Sequence, residues 1–273
     1  MPIDLSGFST SKSKPLPVYL LLDVSTSMSE VVDPENTRAT GETFFKDGKN
    51  WQVVEGGTTK IDQLNAAVAK MLKAFATESK MSSEIQVSVI TFGNNASLYQ
   101  PLMAVTDFKW RDLDCDGMTA MGEAFSMTKK LVEDTKVTPG NAYRPVLVLV
   151  SDGQPNDSWQ TPLKQLVGEG RSAKCDRMAM AIGADADQSI LKQFLDGTRH
   201  SLFFAEDAPK IHEFIQLVTM SVVTRSRSTN PNLIPMDSNI KLDGASVPFG
   251  GSNENPIGKA ASDPPESEEE GYW

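Results

Sequence analysis

The stretch Pro145–Val150 (PVLVLV) is almost continuously apolar, and it restricts the possible folds more than any other part of the chain. A run this short, with no alternating polar face, belongs to a central strand of a parallel sheet covered on both sides. A second apolar run, Val18–Asp23 (VYLLLD), reads as the first strand. The earlier run closes on Asp23, and the later one leads through Ser151 to Asp152.

Around these runs, helical and strand-like patterns alternate. Ile61, Leu64, Val68, Met71, Leu72 and Phe75 recur at helical spacing. Ala120–Glu133 reads as a helix with Met121, Phe125, Thr128 and Val132 on one face. A short helix is expected over Ser189–Leu195, and a last one is marked by Ile211, Phe214, Ile215, Val218 and Val222. Strands are expected at Ile85–Phe92, Met178–Ile182 and Leu202–Ala205, with a shorter edge strand at Leu98–Val105. This alternation predicts a doubly wound, mostly parallel sheet in a three-layer α/β/α arrangement. In such sheets ligands sit beyond the carboxyl ends of the strands, near a switch in strand order. Asp23 and Asp152 each stand at such an end.

The domain is expected to span residues 16–224, after a polar, flexible arm at 1–15. An insertion at 29–60 separates the first strand from the first helix. Within it, Glu42–Phe45 and Trp51–Val54 flank a short loop containing Asp47-Gly48, which reads as a β-hairpin. Residues 225–273 are rich in Pro, Ser, Asn and Gly and close on Glu268-Glu269-Glu270-Gly271-Tyr272-Trp273. They read as a disordered acidic tail.

A length of 273 residues with 39% hydrophobic residues is enough for a full α/β core without staples. The net charge of -10 disfavours nonspecific binding to nucleic acid, which needs Lys and Arg against phosphate. No apolar run approaches the ~20 residues of a membrane span, and the start of the chain has no secretory pattern. Cys115 and Cys175 have neither metal-site spacing nor the density of a disulfide framework. A cytoplasmic protein is expected, with reduced thiols and no nucleic-acid or membrane partner.

Three segments carry oxygen donors. After the first strand come Asp23, Ser25 and Ser27, an Asp-x-Ser-x-Ser pattern that can aim one carboxylate and two hydroxyls at one point. Thr119 follows Asp116-Gly117-Met118, just before a helix. Asp152 precedes Gly153-Gln154-Pro155. Hard cations such as Mg2+ take this kind of oxygen set and retain waters. Asp114 and Asp116 read as a solvated acidic loop, and His200 and His212 are too isolated to be assigned chemistry. Trp51, Trp159 and Glu30 are candidate partner-binding residues beside the expected ligand face.

Asp-x-Ser-x-Ser, a later Thr and a later Asp before Gly together resemble the von Willebrand factor A (vWA) family and its metal-ion-dependent adhesion site. More narrowly, LPVYLLLDVSTSM, GMTAMGEA and YRPVLVLVSDGQPND are similar to the stand-alone, TerY-like branch found in bacterial tellurite-resistance and stress gene clusters. The resemblance implies that Ser25 and Ser27 bind the metal directly, with Thr119 joining them in the ligand-competent state. It implies that Asp23 and Asp152 act mainly through waters or hydrogen bonds, so that the metal stays electrophilic and favours a partner's Glu or Asp. Mg2+ is the implied ion, with Mn2+ or Ca2+ as substitutes. Implied partners are a protein kinase and a PP2C-type phosphatase, in a stress-signalling scaffold.

The insertion is longer than in compact members of that family, and its attachment beside the metal loop places it to shape partner choice. A binding module rather than an enzyme is expected. The alternatives are a Mg2+-dependent phosphotransfer enzyme, or a vWA subunit that partners an ATPase. Phosphotransfer on Asp23 would want a nearby acid and a Lys, and the sequence after Asp23 offers no acid before Glu30. There is also no Walker A or GxGxxG fingerprint.

Overall fold

A computed structural model describes residues 14–33, 36–46, 48–183, 186–230 and 232. Of the arm expected at 1–15, residues 1–13 lie outside the described residues, and so does everything from 233 onward in the tail expected at 225–273.

The central sheet has six strands in the order β5-β4-β1-β6-β7-β8. These are β1 (Leu16–Asp23), β4 (Ile85–Phe92), β5 (Ala96–Ala104), β6 (Val146–Ser151), β7 (Asp176–Ile182) and β8 (Phe203–Ala205). Within this sheet only the β4–β5 pairing is antiparallel. Strand β1 lies between β4 and β6, in register Leu20↔Val89 on one side and Leu20↔Val148 on the other. The chain builds outward from β1 to β4 and β5, then returns to place β6 on the opposite flank of β1. The order of strands therefore switches beside β1, and Asp23 and Asp152 stand at the carboxyl ends there.

Every residue of β1 and β6 is buried, as their apolar runs require. Alternate side chains of β1 feed two cores. Val18, Leu20 and Leu22 pack toward α1 (Lys60–Glu78) and α5 (Ala208–Arg227). Tyr19 and Leu21 pack toward α2 (Met121–Glu133), α3 (Gln160–Gly168) and α4 (Gln188–Phe194). This is the expected mostly parallel sheet flanked by helices. Helix α5 runs to Arg227, with Arg225 and Ser226 buried, so it passes the boundary expected at 224.

Four of the helix starts have a clear chemical cause. Thr59 accepts from Asp62 N–H while the Asp62 side chain accepts from Thr59 N–H, a reciprocal cap that opens α1. Asp207 caps α5 and Asp187 caps α4. Helix α2 has no cap of its own; instead the distant Asp157 carboxylate accepts from Gly122 and Glu123 N–H, both at 2.9 Å. That approach needs a glycine, because a Cβ on Gly122 would lie 2.7 Å from Trp159 Cα.

The insertion forms a separate two-stranded hairpin, β2 (Thr37–Lys46) and β3 (Lys49–Gly56). Both strands are longer than the β-prone runs at 42–45 and 51–54 indicate. The root is closed by an antiparallel bridge between Val31 and Thr59 and by Val32 N–H to Thr58 O at 2.9 Å. Asp33 reinforces it by accepting from Thr58 N–H at 2.5 Å, which holds the Asp33 carboxyl below its ordinary value. Beyond this root the hairpin exposes Phe44 (46%) and Phe45 (72%), and Phe44 stacks on Trp51.

Candidate metal centre

Three loops meet above the ends of β1 and β6. Ser25 N–H donates to Asp23 Oδ1 at 2.9 Å, which bends the chain back over the strand end. The Ser25 and Ser27 hydroxyls are 3.0 Å apart, and Ser27 Oγ donates to Asp152 Oδ1 at 2.7 Å. Asp23 Oδ2 accepts from Ser151 Oγ at 2.6 Å. The two acids thus sit in a continuous hydroxyl network rather than in contact with one another.

Thr119 reaches the same place by a different route. The loop before α2 is tied to the first by Thr26 N–H to Gly117 O at 2.9 Å and by Thr26 Oγ1 to Gly117 O at 3.0 Å. It is tied to the third by Asn156, whose Oδ1 accepts from Thr119 N–H at 2.9 Å and whose N–H donates to Thr119 O at 3.1 Å. A Cβ placed on Gly153 would lie 3.3 Å from Thr119 Oγ1 and 3.7 Å from Ser27 Oγ. Glycine there leaves a small cradle between the two hydroxyls.

Asp23, Ser25, Thr119 and Asp152 are buried. Burial, then the neighbouring Asp152 charge, pushes the Asp23 carboxyl up to about 7, against the lowering effect of its Ser151 and Ser25 hydrogen bonds. A buried carboxylate short of positive charge is what a cation would relieve. Among the described residues, no group of three His, Cys, Asp or Glu side chains is placed to hold an ion. The donor set is instead hydroxyl-rich and all-oxygen, which fits a hard divalent cation and not a soft one.

Lys60, which the sequence reading did not assign, is also at the centre. Its ammonium lies 2.9 Å from Asp152 Oδ2 and 2.5 Å from Glu30 Oε2. Burial pulls the Lys60 ammonium down, but Asp152 and Glu30 outweigh it and hold it above the ordinary lysine value. Ser151 and Asn156 were likewise unassigned. Ser151 directly precedes Asp152 at the strand end, a signal visible in the sequence; Lys60 and Asn156 carry no local signal of their own.

The centre opens into a pocket of about 830 Å³, lined by Ser25, Ser27, Thr119 and Asp152 together with Glu30 and Trp51. Asn50 of the hairpin and Lys60 also face it. Trp159, the other aromatic candidate, is half-buried and packs against the second core instead. Asp114 and Asp116 are exposed on the loop before Thr119. His212 bonds Gln63 at 3.0 Å on the α1–α5 face, away from the pocket. Both cysteines are free, with thiols pushed up to about 12 by burial.

The fold and the site together define an α/β domain with a hydroxyl–carboxylate centre at its topological switch. The family described as von Willebrand factor type A domain matches residues 18–154, half of the sequence. The chain belongs to that family. No curated protein matches it in sequence. Among solved structures, it is similar to a von Willebrand factor type A protein from Catenulispora acidiphila (15% identity, TM-score 0.50, 77% of this chain and 43% of that one). It is similar also to the PilB minor pilin from Streptococcus sanguinis (13%, 0.52, 80% and 63%). A third is proximal thread matrix protein 1 from the mussel byssus (15%, 0.51, 76% and 48%). The chain thus spans about half the length of these structures, and at such identities the likeness is one of fold. No helix among the described residues is long and apolar enough to cross a membrane.

Proposed function

We propose that this chain is a divalent-cation-dependent protein-binding module that docks an acidic side chain of a protein partner, and that it is not an enzyme. The observation that carries this reading is the meeting of Ser25, Ser27, Thr119 and Asp152 in one pocket that Trp51 also lines. In this reading Ser25, Ser27 and Thr119 hold Mg2+, with Mn2+ or Ca2+ as substitutes, and Asp23 and Asp152 act through hydrogen bonds and water. The bound ion supplies an electrophilic position for a Glu or Asp oxygen. The chain's own residues do the rest: Asp23 holds Ser25, Asp152 holds Ser27, and Asn156 holds the Thr119 backbone.

The hairpin gives the module its selectivity. A lone two-stranded hairpin is marginal in water, and this one places Trp51 in the pocket lining, with Phe44 stacked on it and Phe45 exposed next to Phe44. Aromatic anchors next to a charged contact are the residue types that dominate binding energy at interfaces. The segments LPVYLLLDVSTSM, GMTAMGEA and YRPVLVLVSDGQPND support a narrower reading. In it the chain is a TerY-like cytoplasmic scaffold of tellurite-resistance and stress signalling, with a protein kinase and a PP2C-type phosphatase as partners.

The phosphotransfer reading on Asp23 gains one observation, since a second acid, Asp152, neighbours Asp23 and holds Lys60 at 2.9 Å. It is nevertheless the weaker one. Both carboxylates are buried and each oxygen already accepts a hydrogen bond, so neither offers an exposed nucleophile.

The test is affinity capture from the native host in Mg2+ against EDTA, with Ser25→Ala and Ser27→Ala as controls and an acidic peptide as competitor. The expected result is a partner held only in Mg2+, displaced by the peptide and lost in both variants. Capture indifferent to EDTA would overturn the reading. Phosphatase or nucleotide turnover that needs Mg2+ and disappears in Asp23→Ala would favour the enzyme.

A further inference from the structure

One charged group at the centre has no part in holding an ion. Lys60 is the first residue of α1, where the chain leaves the hairpin insertion. Its side chain is only 10% exposed, and its ammonium touches Asp152 at 2.9 Å and Glu30 at 2.5 Å. Asp152 divides its two oxygens between different neighbours: Oδ1 accepts from the Ser27 hydroxyl and Oδ2 from Lys60. The same carboxylate therefore faces the proposed ion site with one oxygen and a fixed cation with the other.

We propose that Lys60 is the built-in counter-cation of this centre: it compensates the buried Asp152 while no ion is bound, and it weakens the hold on a divalent ion so that the ion exchanges readily. The proposal rests on the metal-binding reading above. Two physical costs lead to it. A buried carboxylate stripped of its partner is strongly unfavourable, and Asp23 and Asp152 are both buried at the ends of neighbouring strands, linked through Ser25 and Ser27. Without Lys60 the centre would hold two buried acids and, among the described residues that line its pocket, no positive charge. Conversely, a divalent ion brought to Ser27 and Asp152 meets the like charge of the lysine in a partly desolvated site, where charge repulsion is weakly screened. Glu30, whose side chain is 55% exposed, offsets part of that repulsion.

The lysine is held at this position by its surroundings. Lys60 N–H donates to Glu30 O at 2.9 Å, beside the Val31–Thr59 bridge and the Thr59–Asp62 cap. Gly183 follows β7 across from it, and a Cβ there would come within 3.6 Å of the ammonium. The backbone that carries Lys60 cannot withdraw without opening the root of the insertion.

The experiment is calorimetric titration of Mn2+ into the full chain as wild type, Lys60→Met, Lys60→Gln, Lys60→Arg and Ser27→Ala, with melting temperatures in EDTA and in saturating Mn2+. The two neutral variants are expected to bind Mn2+ on the order of tenfold more tightly than wild type. They are expected to melt below wild type in EDTA and to regain more than wild type does when Mn2+ is added. Lys60→Arg keeps the charge and should stay within about threefold of wild type, a difference of about 0.7 kcal/mol. If a neutral variant is unfolded in EDTA, folding on addition of Mn2+ supports the proposal and failure to fold overturns it. Equal or weaker Mn2+ binding by folded neutral variants, alongside loss in Ser27→Ala, overturns the role of Lys60 and leaves the metal reading standing. No Mn2+ binding by any of the proteins overturns both.

Discussion

The Ser27 hydroxyl donates to Asp152 Oδ1 across 2.7 Å, although 125 residues separate the two in the chain. The bond joins the loop after β1 to the end of β6, the two neighbouring strands at the switch in the sheet. It aims the serine oxygen into the pocket and keeps the carboxylate behind it. An acid held behind a hydroxyl raises that oxygen's electron density without itself neutralising an ion in front. The predictions below follow from this bond and from the few others that hold the three loops together.

Removing the Ser27 hydroxyl should separate binding from folding. Ser27→Ala deletes a hydrogen bond to a charged partner, which typically costs about 1–3 kcal/mol of stability. Lys60 still compensates Asp152, so the fold should survive. Mn2+ affinity should fall at least about tenfold. Calorimetric titration together with a thermal melt in EDTA measures both; undiminished Mn2+ binding would count against Ser27 as a donor.

Asn156 should act on the centre without facing the ion directly. It holds Thr119 through both its side chain and its backbone. Asn156→Ala removes the side-chain half and frees the Thr119 loop. Mn2+ affinity is expected to fall about tenfold, the range seen when an outer hydrogen bond to a ligand is lost. The loss should be larger for the proposed Mg2+-dependent partner contact than for the ion alone, because in the proposed reading Thr119 is the donor tied to ligand competence. Comparing the two affinities in one variant checks this.

The hairpin should be separable from the centre. Replacing residues 36–55 by a short Gly/Ser linker leaves the Val31–Thr59 bridge and the Glu30–Lys60 contacts in place. Mn2+ affinity should stay within about twofold of wild type, while capture of the partner is lost. Phe45→Ala alone removes a side chain that is 72% exposed, so it should leave the melting temperature unchanged and still weaken capture. Undisturbed capture by both variants would make the hairpin a bystander.

A pH-dependent contribution to stability should come from the far end of the domain. Arg227 donates to both Glu78 oxygens, at 2.8 and 2.6 Å, and holds the Glu78 carboxyl below its ordinary value. A depressed carboxyl binds fewer protons folded than unfolded, so its contribution is present above the usual glutamate range. It is lost as pH falls through the lowered folded value. Glu78→Gln should therefore lower the melting temperature at pH 7, by up to about 1 kcal/mol in stability because Arg227 is largely exposed and the pair is screened, and the difference from wild type should close as pH falls below the ordinary glutamate range. A difference that persists unchanged in acid would assign the effect to packing instead.

Much of the architecture was legible before any coordinates. PVLVLV and VYLLLD have no polar face, so they could only be central strands, and they are β6 and β1. The stripe from Ile61 to Phe75 is the buried face of α1. Helix α3 was not foreseen. It is short, carries Pro162 in its first turn and buries only Leu163 and Leu166, too few positions to show a period. The edge strand β5 was shifted by two residues at its start because its side chains are only partly buried, which blurs alternation.

The sequence by itself determined the layers of this protein and the identity of the candidate oxygen donors. Apolar periodicity is a local property, and an acid or hydroxyl at the end of a strand can be read from its neighbours. Only the tertiary structure decided which donors share a pocket, that Trp51 joins them and Trp159 does not, and that Lys60 stands against Asp152. Those relations depend on which strands lie side by side and on how the hairpin root closes, and contacts made across more than ninety positions leave no period in the chain to read.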